Sequence, residues 1–274
     1  MTAFAVHGAA GRMGRAVIEV VLDDDRARLA AAIEHAGHGA LGQDAAVLAG
    51  RAPIGVTLGD DIDAALERAQ VVIDFSGPAA TRALLERCAR ARVPAVVGTT
   101  GMDDACRGAL DALARVAPAV FAPNFSVGVN ILWSLCERAA QLAGEEFDLE
   151  VVEMHHHHKV DAPSGTAVRM VEVVAAARGL DPRRAVVPGR SGQVGARRPG
   201  EIGVHALRGG DVVGDHTLVL AGPGERIELT HRAHGRQIFA RGAVRAAHWV
   251  VGRPPGLYGM ADVLGLHGAE NRSD

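Results

Sequence analysis

The chain opens with the apolar segment Thr2-Ala3-Phe4-Ala5-Val6-His7, turns through Gly8-Ala9-Ala10-Gly11-Arg12-Met13-Gly14, and continues as an apolar-periodic run from Arg15 to Leu22. A buried strand, a glycine turn and a helix in that order admit few folds. The first glycine lets the chain reverse, the next lets the backbone approach a pyrophosphate, and the helix N terminus offers free N–H groups and positive potential. Glu34 follows the last glycine by about twenty residues, at the end of a second apolar strand, Leu29 to Ile33, where an acidic group accepts ribose hydroxyls.

The plan then repeats. Val71-Val72-Ile73-Asp74-Phe75-Ser76 reads as a buried strand with a polar end, followed by a helix from Thr81 to Arg92. Pro94 to Val97 runs into Gly98-Thr99-Thr100-Gly101 and a helix near Asp104 to Arg115, and Val120-Phe121 leads to Ala122-Pro123-Asn124-Phe125. Strands alternating with helices at this pitch predict an α/β fold with a parallel, doubly wound sheet. Ligands bind such sheets outside the carboxyl ends of the strands, so Asp74 to Ser76, Gly98 to Thr100 and Ala122 to Phe125 are expected to line the nicotinamide half of a dinucleotide site.

Beyond Asn130 the pattern changes. One long helix carries Ile131, Leu132, Leu135, Cys136, Ala139 and Leu142 on its expected apolar face. Strict alternation in Phe147 to Val151, in Arg226 to Thr230 and in parts of Asp215 to Leu220 predicts a half-exposed antiparallel sheet, interrupted by a helix between Ser164 and Arg178. The Gly-, Arg- and Pro-rich stretch 183–203 reads as a mobile loop kept solvated by its arginines, and Ile238 to Val251 as a final helix. At 274 residues the chain exceeds the usual single-domain size, so two domains are expected.

Composition excludes several classes of function. A net charge of −3 and 3% aromatic residues argue against nucleic-acid binding. The uncharged stretch Val116 to Cys136 is broken by Pro118, Pro123 and Gly128, so no membrane association is expected. Three cysteines, Cys88, Cys106 and Cys136, without a CxxC pair, favour a reducing cytoplasm and packing roles.

The chemistry concentrates in Glu153-Met154-His155-His156-His157-His158-Lys159-Val160-Asp161-Ala162-Pro163-Ser164-Gly165-Thr166-Ala167. His155 and Lys159 are four apart, a spacing expected to put both on one side of a strand or helix. Imidazole transfers protons near neutral pH, and an ammonium both attracts an anion and releases a proton, which arginine does not. Of the 29 basic side chains, Lys159 is the single lysine. Ser164 is a candidate N-cap whose helix would present the N–H groups of Gly165, Thr166 and Ala167 to a carboxylate. No metal is expected, because adjacent histidines on a strand face opposite ways and no acidic pair completes a ligand set.

These segments resemble the family of dihydrodipicolinate reductases, also called 4-hydroxy-tetrahydrodipicolinate reductases, over nearly the whole chain. The family's E-x-H-H-x-x-K-x-D-x-P-S-G-T-A segment is matched without gaps from Glu153 to Ala167. The resemblance implies that NAD(P)H reduces a cyclic unsaturated dicarboxylate by hydride transfer in the diaminopimelate route to lysine. It implies His155 as proton donor or acceptor, Lys159 as proton donor, and His156, Ser164, Gly165 and Thr166 as holders of the dicarboxylate. It assigns Gly8, Ala9, Ala10, Gly11, Arg12, Met13, Glu34, Gly98, Thr99, Thr100, Ala122, Pro123, Asn124 and Phe125 to the cofactor. It also implies a Rossmann domain of residues 1–126 with 240–274, a substrate and oligomerisation domain of 127–239 with a mostly antiparallel sheet, and a homotetramer. Enteric members carry arginine directly after the acidic residue of the second strand, whereas this chain has His35. Dual use of NADH and NADPH is therefore expected.

Overall fold

A computed structural model describes residues 1–266. It resolves two compact units, Met1–Val127 with the chain from Arg236 onward, and Gly128–Gly235. Of the expected C-terminal return, residues 267–274 lie outside the described residues.

In chain order the elements are β1 Thr2–His7, α1 Arg12–Leu22, β2 Ala27–Ile33, α2 Ala45–Leu48, β3 Leu58–Gly59, α3 Ile62–Leu66, β4 Val71–Asp74, α4 Pro78–Ala91, β5 Ala95–Val97, α5 Asp104–Ala114 and β6 Pro118–Phe121. There follow α6 Val127–Ala143, β7 Asp148–His155, α7 Gly165–Ala177, α8 Pro182–Ala185, β8 Val186–Pro188, β9 Ile202–Arg208, β10 Gly214–Gly222 and β11 Glu225–Ala233. The chain returns to the first unit as α9 Gln237–Val250, β12 Gly256–Tyr258 and α10 Met260–Leu264. None of these helices is long and apolar enough to cross a membrane.

The first unit is the doubly wound sheet that the strand-helix alternation predicts. Its order is β3-β2-β1-β4-β5-β6-β12, with every pairing parallel. Period-two alternation divides its strands between two cores. Phe4, Val6, Ile73 and Val96 pack with Val17 and Ile18 of α1 and Ala243 and Ala247 of α9. Ala5, Val72, Ala95 and Val97 pack with Leu84 and Leu85 of α4 and Leu110 and Leu113 of α5. Burial on both faces is why these strands read as continuous apolar runs. The sheet reverses its winding between β1 and β4, whose last residues, His7 and Asp74, lie side by side. That switch point is where such sheets hold ligands.

The second unit has sheet order β11-β10-β7-β9-β8. Its long strands β7, β10 and β11 pair antiparallel, and the β9 and β8 edge joins in parallel. One face packs Leu149, Val151, Ile202, Leu218 and Leu220 against α6 and α7. The buried face of α6 keeps the expected Leu132 and Cys136 but is rotated from the rest of the expected stripe. Val129, Leu132, Trp133, Cys136 and Ala140 are buried, while Ile131, Leu135 and Leu142 are exposed. Both sets obey helical spacing, so periodicity alone does not choose between them.

The stretch 183–203 also departs from expectation, since it contains the end of α8, all of β8 and the start of β9. Arg190 holds both oxygens of Glu150 at 2.9 Å, and Arg197 reaches Asp148 at 2.7 Å and Glu150 at 3.3 Å, so these two arginines staple the segment to β7. Gly203, opposite Glu150 in β9, leaves room for that carboxylate where a Cβ would not. Burial pushes the Glu150 carboxyl up, but the bonds from Arg190, His205 and Arg197 outweigh it and hold it at about 2, against an ordinary 4.5. A depressed folded value means that the staple is intact above pH 4.5 and is lost as the pH falls toward 2. Hydrogen exchange of residues 189–201 is expected to accelerate across that window before the β7 amides do; protection unchanged down to pH 2 contradicts the assignment.

Candidate active site

At the first switch-point turn, Gly8 adopts φ +74° and a Cβ there would lie 2.8 Å from the carbonyl oxygen of Phe75. Gly14, one turn into α1, has no room for a Cβ against the Gly8 carbonyl. Both positions require glycine for a stated contact. The N-cap of α1 is Gly11, which has no side chain to occupy the first-turn N–H groups. They remain donors for an anion, as a pyrophosphate cradle requires. Glu34 closes the turn, accepting from the Ala10 N–H at 3.1 Å and the His35 N–H at 3.1 Å. The His35 ring is exposed, bonded to the Ala36 carbonyl at 3.0 Å and set edge-on to His38.

A groove of about 330 Å³ beside this turn is lined by Arg12, Met13, Gly98, Pro123, Asn124 and Phe125, all expected from sequence. It also exposes Phe75, Arg236 and Phe239. The last two come from the chain's return and carried no sequence signal for a ligand. Gly98 has no Cβ because the Phe75 ring occupies that space. Other expected residues stand differently. Ala9 and Ala122 are buried, Thr100 is exposed, and Thr99 turns its hydroxyl inward to Asp74 at 2.9 Å.

Asp74, expected at the strand end to line the nicotinamide site, is instead a hub beneath the surface. It is fully buried and accepts from Ser76 Oγ at 2.6 Å, Thr81 Oγ1 at 2.6 Å and Thr99 Oγ1 at 2.9 Å, with His7 Nδ1 at 2.7 Å. Burial raises its pKa, but His7, Ser76 and Thr81 together hold it below the usual carboxylate range. One carboxylate thus joins β1, β4, α4 and the loop after β5 beneath the cradle.

In the second unit, β7 delivers Glu153 and His155 to the buried face at its C-terminal end. His155 Nδ1 lies 2.5 Å from Glu153 Oε2. Arg208, opposite His155 in β9, forks onto Glu153 at 2.9 and 3.0 Å, and the Ser164 N–H donates to it at 3.0 Å. Burial pushes the Glu153 carboxyl up, while the bonds from Arg208, His155 and Ser164 hold it below its ordinary range. Ser164 caps α7 as expected, accepting from the Ala167 N–H at 3.2 Å, and its hydroxyl meets His216 Nε2 at 2.9 Å. Burial first, and then the nearby charges of His155, His231 and Lys159, push His216 down to about 4, so it is neutral at physiological pH.

His155 and Lys159 do not share the one strand or helix that their spacing predicts. Strand β7 ends at His155, and Lys159 lies in a turn closed by its N–H on the His156 carbonyl at 3.1 Å. The His155 ring stands edge-on to His216, with centroids 5.1 Å apart, and the charge of Lys159 adds to the downward push on His216. Lys159 Nζ donates to both Asp161 oxygens at 2.8 Å. The exposed Gly165 and half-buried Thr166 open α7, and the His156 N–H donates to the Val212 carbonyl at 2.7 Å. Arg208 and His216 were missed by sequence reasoning, because strand register brings them to the site from distant segments. A cavity of about 470 Å³ near the start of β7, lined by Asp148, Leu149 and Arg178, holds none of the expected residues.

The cysteines are inert by position. All three are buried, and burial pushes Cys88 and Cys136 up to about 12 and raises Cys106 as well. Thiolate chemistry of the kind an aspartate-semialdehyde dehydrogenase uses has no candidate among the described residues.

The family model described as dihydrodipicolinate reductase, N-terminus, matches residues 2–125, and that described as dihydrodipicolinate reductase, C-terminus, matches residues 128–264. A 4-hydroxy-tetrahydrodipicolinate reductase of Thiobacillus denitrificans is 53% identical over 96% of this chain and 98% of its own length. Its counterpart in Alkalilimnicola ehrlichii is 51% identical over 97% of this chain and 99% of its own. The solved dipicolinate-bound dihydrodipicolinate reductase of Paenisporosarcina sp. TG-14 shares the fold, with a TM-score of 0.76 at 24% identity, covering 96% of this chain and 98% of that one. With both halves matched by family models and full-length relatives half identical to it, the chain belongs to the dihydrodipicolinate reductase family.

Proposed function

We propose that this chain reduces 4-hydroxy-tetrahydrodipicolinate to tetrahydrodipicolinate with NAD(P)H, releasing water, in the diaminopimelate route to lysine. The observation that carries the reading is the folded Glu153–Ala167 segment, where His155 and the Ser164 cap of α7 both adjoin the neutral His216 and Arg208 ties Glu153 to the turn that holds Lys159. The cradle fits a dinucleotide, since Gly8 and Gly14 admit no side chain, the first turn of α1 carries no side-chain cap, and Glu34 stands at the end of β2.

When bound, the reduced nicotinamide supplies a hydride. The remaining chemistry belongs to the chain. The substrate hydroxyl departs as water with a proton from the adjacent ring carbon, and the conjugated ring left behind takes up one hydride and one proton. The N–H groups that open α7 and the side chain of Thr166 hold a substrate carboxylate against the helix N terminus. Lys159 and His155 are the groups that hold the transferable proton, at Nζ and at a ring nitrogen, and the ammonium stabilises negative charge as it develops. His156 completes the dicarboxylate site. The cytoplasm and a homotetramer belong to the same proposal, supported by three buried free thiols and by the exposed edge strand β11.

Both nicotinamide cofactors are expected to serve. No arginine follows Glu34, the exposed His35 takes that place, and the exposed Arg12 at the start of α1 offers a cation to a 2′-phosphate. Initial rates on the product of the preceding aldol-type synthase are expected with NADH and NADPH alike. A preference in kcat/KM above about a hundredfold, near 2.7 kcal/mol, contradicts dual use; oxidation of neither cofactor contradicts the function.

A further inference from the structure

We propose that Glu153, clamped by Arg208, is a positioning residue that fixes His155 in the tautomer protonated at Nδ1 and ties that ring to the N terminus of α7. The proposal deepens the function given above and rests on His155 serving that reaction.

Glu153 is fully buried, and both its oxygens are engaged. Oε2 faces His155 Nδ1 at 2.5 Å and accepts from Arg208 Nη1 at 2.9 Å, while Oε1 accepts from Arg208 Nη2 at 3.0 Å and from the Ser164 N–H at 3.0 Å. An ionised carboxylate only accepts, so the proton between Glu153 and His155 belongs to Nδ1. Nε2 is then the nitrogen free to exchange a proton, and it faces Gly214, where a Cβ would approach it to 2.9 Å. The glycine keeps that edge of the ring clear.

The same carboxylate links three parts of the site. Through Ser164 it sets where α7 begins, and through Arg208 it reaches the loop that carries Lys159, because Arg208 Nη2 also donates to the Asp161 carbonyl at 2.6 Å. A shift of Glu153 therefore displaces the proton carrier, the anion-binding helix terminus and the lysine turn together. Of the charged and titratable groups here, Glu153 bonds the His155 ring, Arg208 bonds that carboxylate and His216 stands edge-on to the ring; His231 and Lys159 act on His216, and Lys159 pairs with Asp161. Of these, Glu153 alone bonds a ring nitrogen among the described residues.

Glu153→Gln and Arg208→Gln in the full-length protein separate positioning from a buried structural pair. E153Q is expected to lower kcat by about 10–100-fold with an unchanged KM for NAD(P)H, as loss of a group that orients a catalytic imidazole does. The His155 limb of the pH profile of kcat/KM moves to lower pH, because the imidazolium loses its carboxylate. R208Q leaves that carboxylate and removes a cation, so the limb moves to higher pH. Opposite movements are a signature that general loosening does not produce. A limb that stays in place, or moves the same way in both variants, overturns the proposal; should E153Q fail to fold, the upward movement in the half-exposed Arg208 variant decides it. The ¹⁵N shifts of His155 read the tautomer without turnover: Nδ1–H in the wild type supports the proposal, and Nε2–H refutes it even if the enzyme is active. An inactive wild type with Nδ1–H contradicts the function alone.

Discussion

Lys159→Arg is expected to lower kcat by about 10²–10⁴-fold, the range that loss of a positioned general acid produces, while folding and NAD(P)H binding stay intact. The substitution keeps the positive charge and offers Asp161 a guanidinium in place of the ammonium that now donates to both its oxygens at 2.8 Å. The turn that presents the side chain is therefore retained. What is lost is a group able to give up its proton, since guanidinium stays charged across the whole working range. Steady-state kinetics of the folded variant measure this directly, and turnover at the wild-type rate contradicts the role. Every other basic position in the chain is arginine, so this variant removes its one lysine.

Asp74→Ala is expected to cost about 3–5 kcal/mol of stability, because removing one partner of a buried polar cluster leaves the others unsatisfied. His7, Ser76, Thr81 and Thr99 all converge on this carboxylate, and His7 and Thr81 are themselves buried. Thermal denaturation reads the effect as a fall of roughly 10 °C, accompanied by a higher KM for NAD(P)H as the Gly98–Thr100 loop loses its anchor. A loss below about 1 kcal/mol, the worth of one ordinary hydrogen bond, contradicts the hub.

The parts of this molecule that were legible in sequence are those that short segments decide. The Gly8 turn announces itself because a strand, a reversal and a helix follow one another within a few residues, and the structure shows why, with Gly8 and Gly14 pressed against carbonyls. Apolar runs such as Val71 to Ile73 report burial on both faces, which is what a parallel sheet imposes. The Ser164 cap was readable for the same local reason.

Illegible were the features that depend on pairing between distant segments. Arg208 meets Glu153 only because β9 lies beside β7 in one register, and His216 arrives on β10 by another. The arginines of the 189–200 stretch read as solvated loop residues, because nothing local announces the Glu150 and Asp148 carboxylates that Arg190 and Arg197 bond. The face of α6 was legible only at Leu132 and Cys136, because Ile131, Leu135 and Leu142 form an apolar stripe of their own beside the one that is buried. Periodicity establishes that a helix has a face; the sheet it packs on selects which.

The proposed reaction joins a nicotinamide hydride and a protein-held proton to one cyclic dicarboxylate. The most direct measurement supplies NAD(P)H deuterated at the transferable position, together with freshly synthesised 4-hydroxy-tetrahydrodipicolinate, and follows the label by mass spectrometry and NMR. One deuterium on a ring carbon of tetrahydrodipicolinate for each oxidised cofactor is the predicted result. Oxidation with the label in solvent, or no oxidation at all, contradicts it.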